Sequence, residues 1–111
     1  MEKDKVYLNH IFDAITLIES FTKGQTKSSF IDNELLISAV VRQLEIIGEA
    51  AKKTSAGFKA KHKDVLWKEI TGMRNILIHE YFNVDLKLVW ETVRLNLPKF
   101  KKQIAVLLKT F

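Results

Sequence analysis

The stretch NELLISAVVRQLEIIGEAAKK, residues 33–53, decides the fold. Leu36, Val40, Leu44, Ile47 and Ala51 recur at steps of three and four, the spacing of one helix face. Ile37, Val41 and Ala50 widen that stripe beyond what a one-sided surface helix needs, so the helix must be covered on two sides, by a second helix pair or another subunit. Asp32 or Asn33 can cap its start. Gly48 lies in its interior, where glycine costs roughly 1 kcal/mol against alanine, so it is expected to admit the close approach of a neighbouring backbone. Glu45 and Glu49, one turn apart, read best as counter-charges for Arg74 or Arg42. General acid/base work or half of a metal site would call for a Glu-x-x-His motif on the same helix, and there is none.

Working outward, Leu8, Ile11, Phe12, Ile15 and Ile18 mark a preceding helix that ends before Lys23-Gly24. Residues Gly24 to Phe30 are expected to form a polar connector, and Phe58 to Lys63 a basic loop. Asp64 is expected to cap a third helix in which Leu66, Ile70, Met73, Leu77 and Tyr81 share a stripe, with Trp67 beside it, fading around Glu80 to Asn83. Asp85 then caps a fourth, whose stripe runs through Leu86, Val89, Val93, Leu97, Phe100, Ile104, Leu107 and Phe111. Pro98 removes a donor there and should kink or divide it. Strand-like alternation and internal repeats are absent from the sequence. The expectation is all-α: one domain over residues 1–111, an up-down four-helix bundle with a kinked or divided C-terminal helix.

Composition bounds the function. The chain has no cysteine, which excludes a disulfide framework and thiolate zinc sites and agrees with a reducing cytoplasm. The charged opening MEKDK is followed by no apolar signal region, and no run approaches the roughly 20 apolar residues of a membrane helix, so a soluble, unprocessed, cytoplasmic protein is expected. Residues 1–51 hold five Lys/Arg against eight Asp/Glu, and residues 52–111 thirteen against five, giving −3 and +8. A basic half can concentrate an anionic polymer such as RNA, or simply be a solvated surface.

The segment RNILIHEY, Arg74 to Tyr81, places three chemically capable side chains in an apolar helix pattern. Arg74 is permanently charged, His79 titrates near neutrality, and Tyr81 offers a phenolic oxygen. At about 100° per residue, Asn75 and His79 share one face, Arg74 and Tyr81 nearly overlay on another, and Arg74 and His79 stand about 140° apart. Both reach one phosphate only if the helix ends near His79 or two copies meet; a homodimer with its two-fold axis along this helix is favoured. RNA cleavage by its own 2′-hydroxyl would use His79 as base or acid and Arg74 as the charge clamp, with Asn75 holding the imidazole or the substrate and no metal or other cofactor required. Plainer readings stand beside these: Arg74 pairing with Glu45, Glu49 or Glu80, His79 as a cap, Tyr81 as a core aromatic. His10 and His62 have no evident partners, and Trp67 and Trp90 read as packing residues.

The runs LEIIGEAAKKTS, WKEITGMRNILIHEYFNVD and VWETVRLNLPKF together resemble the HepT-like proteins of the HEPN superfamily over nearly the whole chain. The diagnostic element, Arg, four residues, His, one residue, Tyr, is met by Arg74, His79 and Tyr81, with Asn75 also matching. The resemblance implies an α-helical homodimer acting as a metal-independent endoribonuclease toxin in a type VII-like toxin–antitoxin pair, with Arg74 and His79 in its active site. It also implies a minimal nucleotidyltransferase antitoxin as partner, which silences the toxin by transferring AMP from ATP to Tyr81. The alternative is a non-catalytic helical subunit that binds a nucleotidyltransferase or presents a nucleotide to it. A purely structural dimerisation bundle is the third reading.

Overall fold

The computed structural model describes residues 2–79 and 85–111, and the side chains of residues 3–74 and 85–111. Its elements are α1 (Glu2–Thr22), α2 (Lys27–Ile31), α3 (Glu34–Lys53), α4 (Ala56–Lys61), α5 (Trp67–His79), α6 (Leu86–Glu91), a π-helical segment Thr92–Asn96, and α7 (Leu97–Leu108). All regular structure among the described residues is helical.

The broad stripe on α3 is covered as its width requires. One side meets α1 and the other α5, while α7 lies on α1. Leu8, Ile11, Ile15 and Ile18 of α1 are buried together with Val40, Leu44, Ile47 and Ala51 of α3 in a single apolar core, which Leu97, Phe100 and Ile104 of α7 extend. Asp4, near the start of α1, reaches Ser55, just past the end of α3, so the two helices run antiparallel. Lys101 Nζ on α7 meets Glu19 Oε1 at 2.6 Å, and Arg94 Nη2 donates to the Gln25 carbonyl at 3.1 Å, which sets α7 antiparallel to α1.

The Asp4 contact is a buried lock. Its carboxylate accepts from the Ser55 amide at 2.8 Å and from Ser55 Oγ at 2.7 Å, with the residue only 3% exposed. Burial pushes the Asp4 carboxyl up, but the two hydrogen bonds, aided by the charge of Lys59, outweigh it and hold the group below its usual 3.8.

Two expected loops contain helices. The connector Gly24 to Phe30 includes α2, which Thr26 starts: its Oγ1 accepts from the Ser29 amide while Ser29 Oγ accepts from the Thr26 amide. This closed capping box lets five residues turn, and it buries Phe30 beside Trp90 at a centroid separation of 5.2 Å. The basic stretch Phe58 to Lys63 is likewise mostly α4, capped by Ser55, with Phe58 buried. Its lysines gave a loop-like composition, but one apolar anchor per turn is enough for a short helix against a core.

Asn33 rather than Asp32 caps α3, accepting from Leu36. Asp64 does not cap α5, which begins only at Trp67; the Leu66 amide instead donates to Gln103 Oε1 at 3.5 Å, and Gln103 Nε2 donates to the Asp64 carbonyl at 3.3 Å. Asp85 caps α6, accepting from Lys87 and Leu88. The fading of α5 expected around Glu80 to Asn83 lies outside the described residues.

Pro98 changes the helix register without ending the helix. It has no N–H for the Arg94 carbonyl, and the chain answers with the π segment Thr92–Asn96, where the Leu97 amide reaches back to the Thr92 carbonyl. Of the C-terminal stripe, Val89, Val93, Leu97, Phe100, Ile104 and Leu107 are buried. Phe111 is not: it stands 44% exposed and stacks on Phe58 at 5.6 Å. Trp67 and Trp90 are buried packing residues, as expected.

Candidate functional site

Helix α5 is fixed at its start. Trp67 Nε1 donates to the His62 carbonyl at 2.9 Å, its ring meets Phe58 edge-on, and Ile70 and Met73 then bury their side chains in the core. Arg74 follows Met73 on the side of α5 that faces α3, where the two backbones come very close. A Cβ built on Gly48 would stand 2.6 Å from Arg74 Cβ and 2.8 Å from Arg74 N. No real side chain tolerates that separation, so glycine at position 48 is what admits Arg74 to this interface. The close approach expected of Gly48 is therefore found, and the group approaching is the candidate catalytic arginine.

The next residue on α3 holds the charge. Glu49 Oε1 lies 2.6 Å from Arg74 Nε, with the two side chains 38% and 31% exposed. Glu45 takes the other role considered for the pair, bridging Arg42 at 3.3 Å. The Glu49 bridge engages the guanidinium at Nε; among the described residues no hydrogen bond uses its Nη1 or Nη2. Those two nitrogens form the edge that binds a phosphate in fork geometry. The sequence offers Glu45, Glu49 and Glu80 as partners for Arg74; that Gly48, the neighbour of Glu49, seats the same arginine shows only where the two helices lie side by side.

The side chains of Asn75 and His79 and the whole of Tyr81 lie outside the described residues. The backbone of α5 is helical through His79. Among the described residues, no three His, Asp or Glu side chains gather as metal ligands, and no helix is long and apolar enough to cross a membrane. His62 has a partner, its ring 4.5 Å from that of Phe58, and His10 stands 6.3 Å edge-on from Tyr7.

The chain is an all-helical bundle among its described residues, Gly48 seats Arg74 between two packed helices, and the Arg-x4-His-x-Tyr spacing begins at that arginine. A family model described as "Ribonuclease HepT-like" matches residues 11–107, and the chain belongs to this family. Among similar proteins, "Gamma-glutamylcyclotransferase and putative RNase MJ0434" of Methanocaldococcus jannaschii is 46% identical over 110 residues, 98% of this chain and 50% of that protein. The chain thus spans about half the length of that relative. It spans nearly all of two others: "Putative RNase TTE0752" of Caldanaerobacter subterraneus subsp. tengcongensis, 41% identical over 98% of this chain and 97% of its own, and "Probable ribonuclease HepT" of Thermococcus cleftensis, 42% identical over 95% and 96%. No solved structure matches.

Proposed function

We propose that this chain is a metal-independent endoribonuclease, the toxin of a type VII-like toxin–antitoxin pair. The observation that carries the reading is the seating of Arg74: a permanent cation admitted by Gly48, held through Nε by Glu49, in a chain of the HepT-like ribonuclease family.

The chemistry follows from the residue types. The RNA 2′-hydroxyl loses its proton to a base and attacks the adjacent phosphorus; the P–O5′ bond breaks, and the 5′-oxygen takes a proton from an acid, leaving a 2′,3′-cyclic phosphate. His79 serves as base or acid. Arg74, through Nη1 and Nη2, stabilises the charge that accumulates on the phosphorane oxygens. Asn75, one turn before His79, orients the imidazole or the substrate. Because positions 74 and 79 diverge by about 140° on a helix, two protomers related by a two-fold along α5 supply the converging groups.

Regulation is proposed at Tyr81. A minimal nucleotidyltransferase antitoxin would direct the Tyr81 phenolic oxygen to the α-phosphorus of ATP, forming a Tyr–AMP phosphodiester and releasing pyrophosphate. The added anion repels RNA and competes for Arg74.

The test uses purified protein and total RNA in EDTA. Cleavage products are expected from the unmodified chain and should vanish in Arg74→Ala and His79→Ala proteins with unchanged circular dichroism. Activity surviving both substitutions defeats the assignment. Incubation with the partner and ATP should add AMP to Tyr81 by mass spectrometry; addition at Tyr7 instead defeats the regulatory part.

A further inference from the structure

A polar depression has Glu49, but not Arg74, in its lining. It is a groove between α1 and α3, about 400 Å³ in volume, lined by Tyr7, His10, Arg42, Ile46, Glu49 and Lys53, with Ala50 at its base. That volume falls within the range of about 300–1,000 Å³ seen for ligand sites. Glu49 belongs to both places, since the carboxylate that lines the groove also grips Arg74 Nε at 2.6 Å. Glu49 is thus the one residue that the groove shares with the proposed phosphate clamp.

Its chemistry is that of a nucleotide subsite. Tyr7 and His10 meet edge to face at 6.3 Å and give an aromatic wall, while Ile46 and Ala50 give an apolar floor. Arg42 and Lys53 supply the cations. Glu49 is engaged with Arg74 Nε, and Glu45 holds Arg42 only through a pair in which the arginine is 68% exposed, an interaction that a phosphate can displace at little cost.

We propose that the α1–α3 groove binds one nucleotide of single-stranded RNA next to the cleaved phosphate, its base against Tyr7 and His10 and its phosphate on Arg42 and Lys53. This rests on the ribonuclease reading and names the path the strand takes away from Arg74. An acidic peptide would satisfy the cations but would leave the aromatic wall without a planar partner.

The experiment separates binding from cleavage. A fluorescein-labelled oligoribonucleotide is titrated by anisotropy into His79→Ala protein carrying Arg42→Gln, Tyr7→Leu or, as a control outside the groove, Lys102→Gln. Arg42→Gln and Tyr7→Leu should each weaken binding about fivefold or more, through a lost phosphate contact and a lost stacking surface. Arg42→Gln should also lower the salt slope by about one. Lys102→Gln should change neither. Ultraviolet crosslinking should recover the oligonucleotide on the peptide containing Tyr7. Affinities within twofold of the parent for both groove variants, crosslinks confined to other helices, no RNA binding by the parent, or displacement of RNA by polyglutamate as effectively as by unlabelled RNA would each overturn the groove assignment. Cleavage by the unmodified chain that persists in such a case leaves the ribonuclease reading standing; Arg42- and Tyr7-dependent binding with no cleavage by the unmodified chain upholds the groove and fails that reading.

Discussion

Helix α3 has two working faces, and they are built on opposite rules. Val40, Leu44, Ile47 and Ala51 lie in one apolar core with Leu8, Ile11, Ile15 and Ile18 of α1, and no charged side chain belongs to that cluster. Toward α5 a glycine admits the backbone of Arg74, whose side chain pairs with Glu49 at the partly exposed margin of the interface, beside the buried Ile70 and Met73. The first face contributes stability through apolar area removed from water. The second gives up part of that area to hold a guanidinium at a set distance from the backbone of α3. Under the proposed ribonuclease function, stability and RNA cleavage should separate along one helix, so that substitutions on the two faces move them independently.

The largest loss of stability is expected on the α1 face. Leu44→Ala removes a side chain that is 1% exposed and should cost about 2–5 kcal/mol by chemical denaturation, while cleavage per folded molecule is retained. Gly48→Ala comes next. Its new methyl would stand 2.6 Å from Arg74 Cβ, so α5 must shift, at a cost of about 3 kcal/mol, the upper end for overpacking. Here cleavage should fall about a hundredfold even where the protein is folded, because the shift carries the clamp with it. Equal cleavage by folded Gly48→Ala and Leu44→Ala proteins would erase the distinction between the faces.

That distinction was only half legible in the sequence. The α1 face announces itself, because branched aliphatics at steps of three and four have one reading. Gly48 also signalled a close approach, and Glu49 stood among three possible partners for Arg74. Which backbone would approach was not readable, since it depends on the offset of α5 along α3, and a sequence carries no direct record of that offset. The short helices were missed for a different reason. In α2 the decisive feature is a reciprocal Thr26–Ser29 cap in a run whose composition resembles a turn, and in α4 a single buried Phe58 offsets flanking lysines. The start of α5 was misplaced because Gln103, thirty-seven residues away from Leu66, supplies a partner that no local pattern contains.

The apolar face can be sharpened at its end, where Asp4 closes it. The folded Asp4 carboxyl titrates below its usual 3.8, so its contribution is fully present above that value and disappears as the pH falls through the lower, folded one. Asp4→Asn should cost about 1–2 kcal/mol at neutral pH, since the charged acceptor of two hydrogen bonds is replaced by a neutral one. The gap between the two proteins should narrow in melts run below pH 4, with cleavage at neutral pH unchanged. A gap that stays constant from neutral to strongly acidic pH would show that the Asp4 charge contributes nothing to the lock.

The smallest effect on stability, and the most telling one for function, is expected at Glu49. Its ion pair with Arg74 is about one-third exposed on each side, so removing it should cost less than about 1 kcal/mol. Activity should depend on what replaces it. Glu49→Gln keeps a side chain of the same length with a dipolar oxygen beside Arg74 Nε, so the guanidinium stays oriented and cleavage should stay within about threefold of the parent. Glu49→Ala removes the tether and releases a long side chain into several rotamers, and cleavage should drop at least about tenfold, chiefly in kcat, because a misplaced clamp fails at the transition state more than at binding. A merely structural carboxylate would show no such split between glutamine and alanine. If the two variants cleave alike, Arg74 does not owe its position to Glu49, and the polar face of α3 reduces to what Gly48 alone provides.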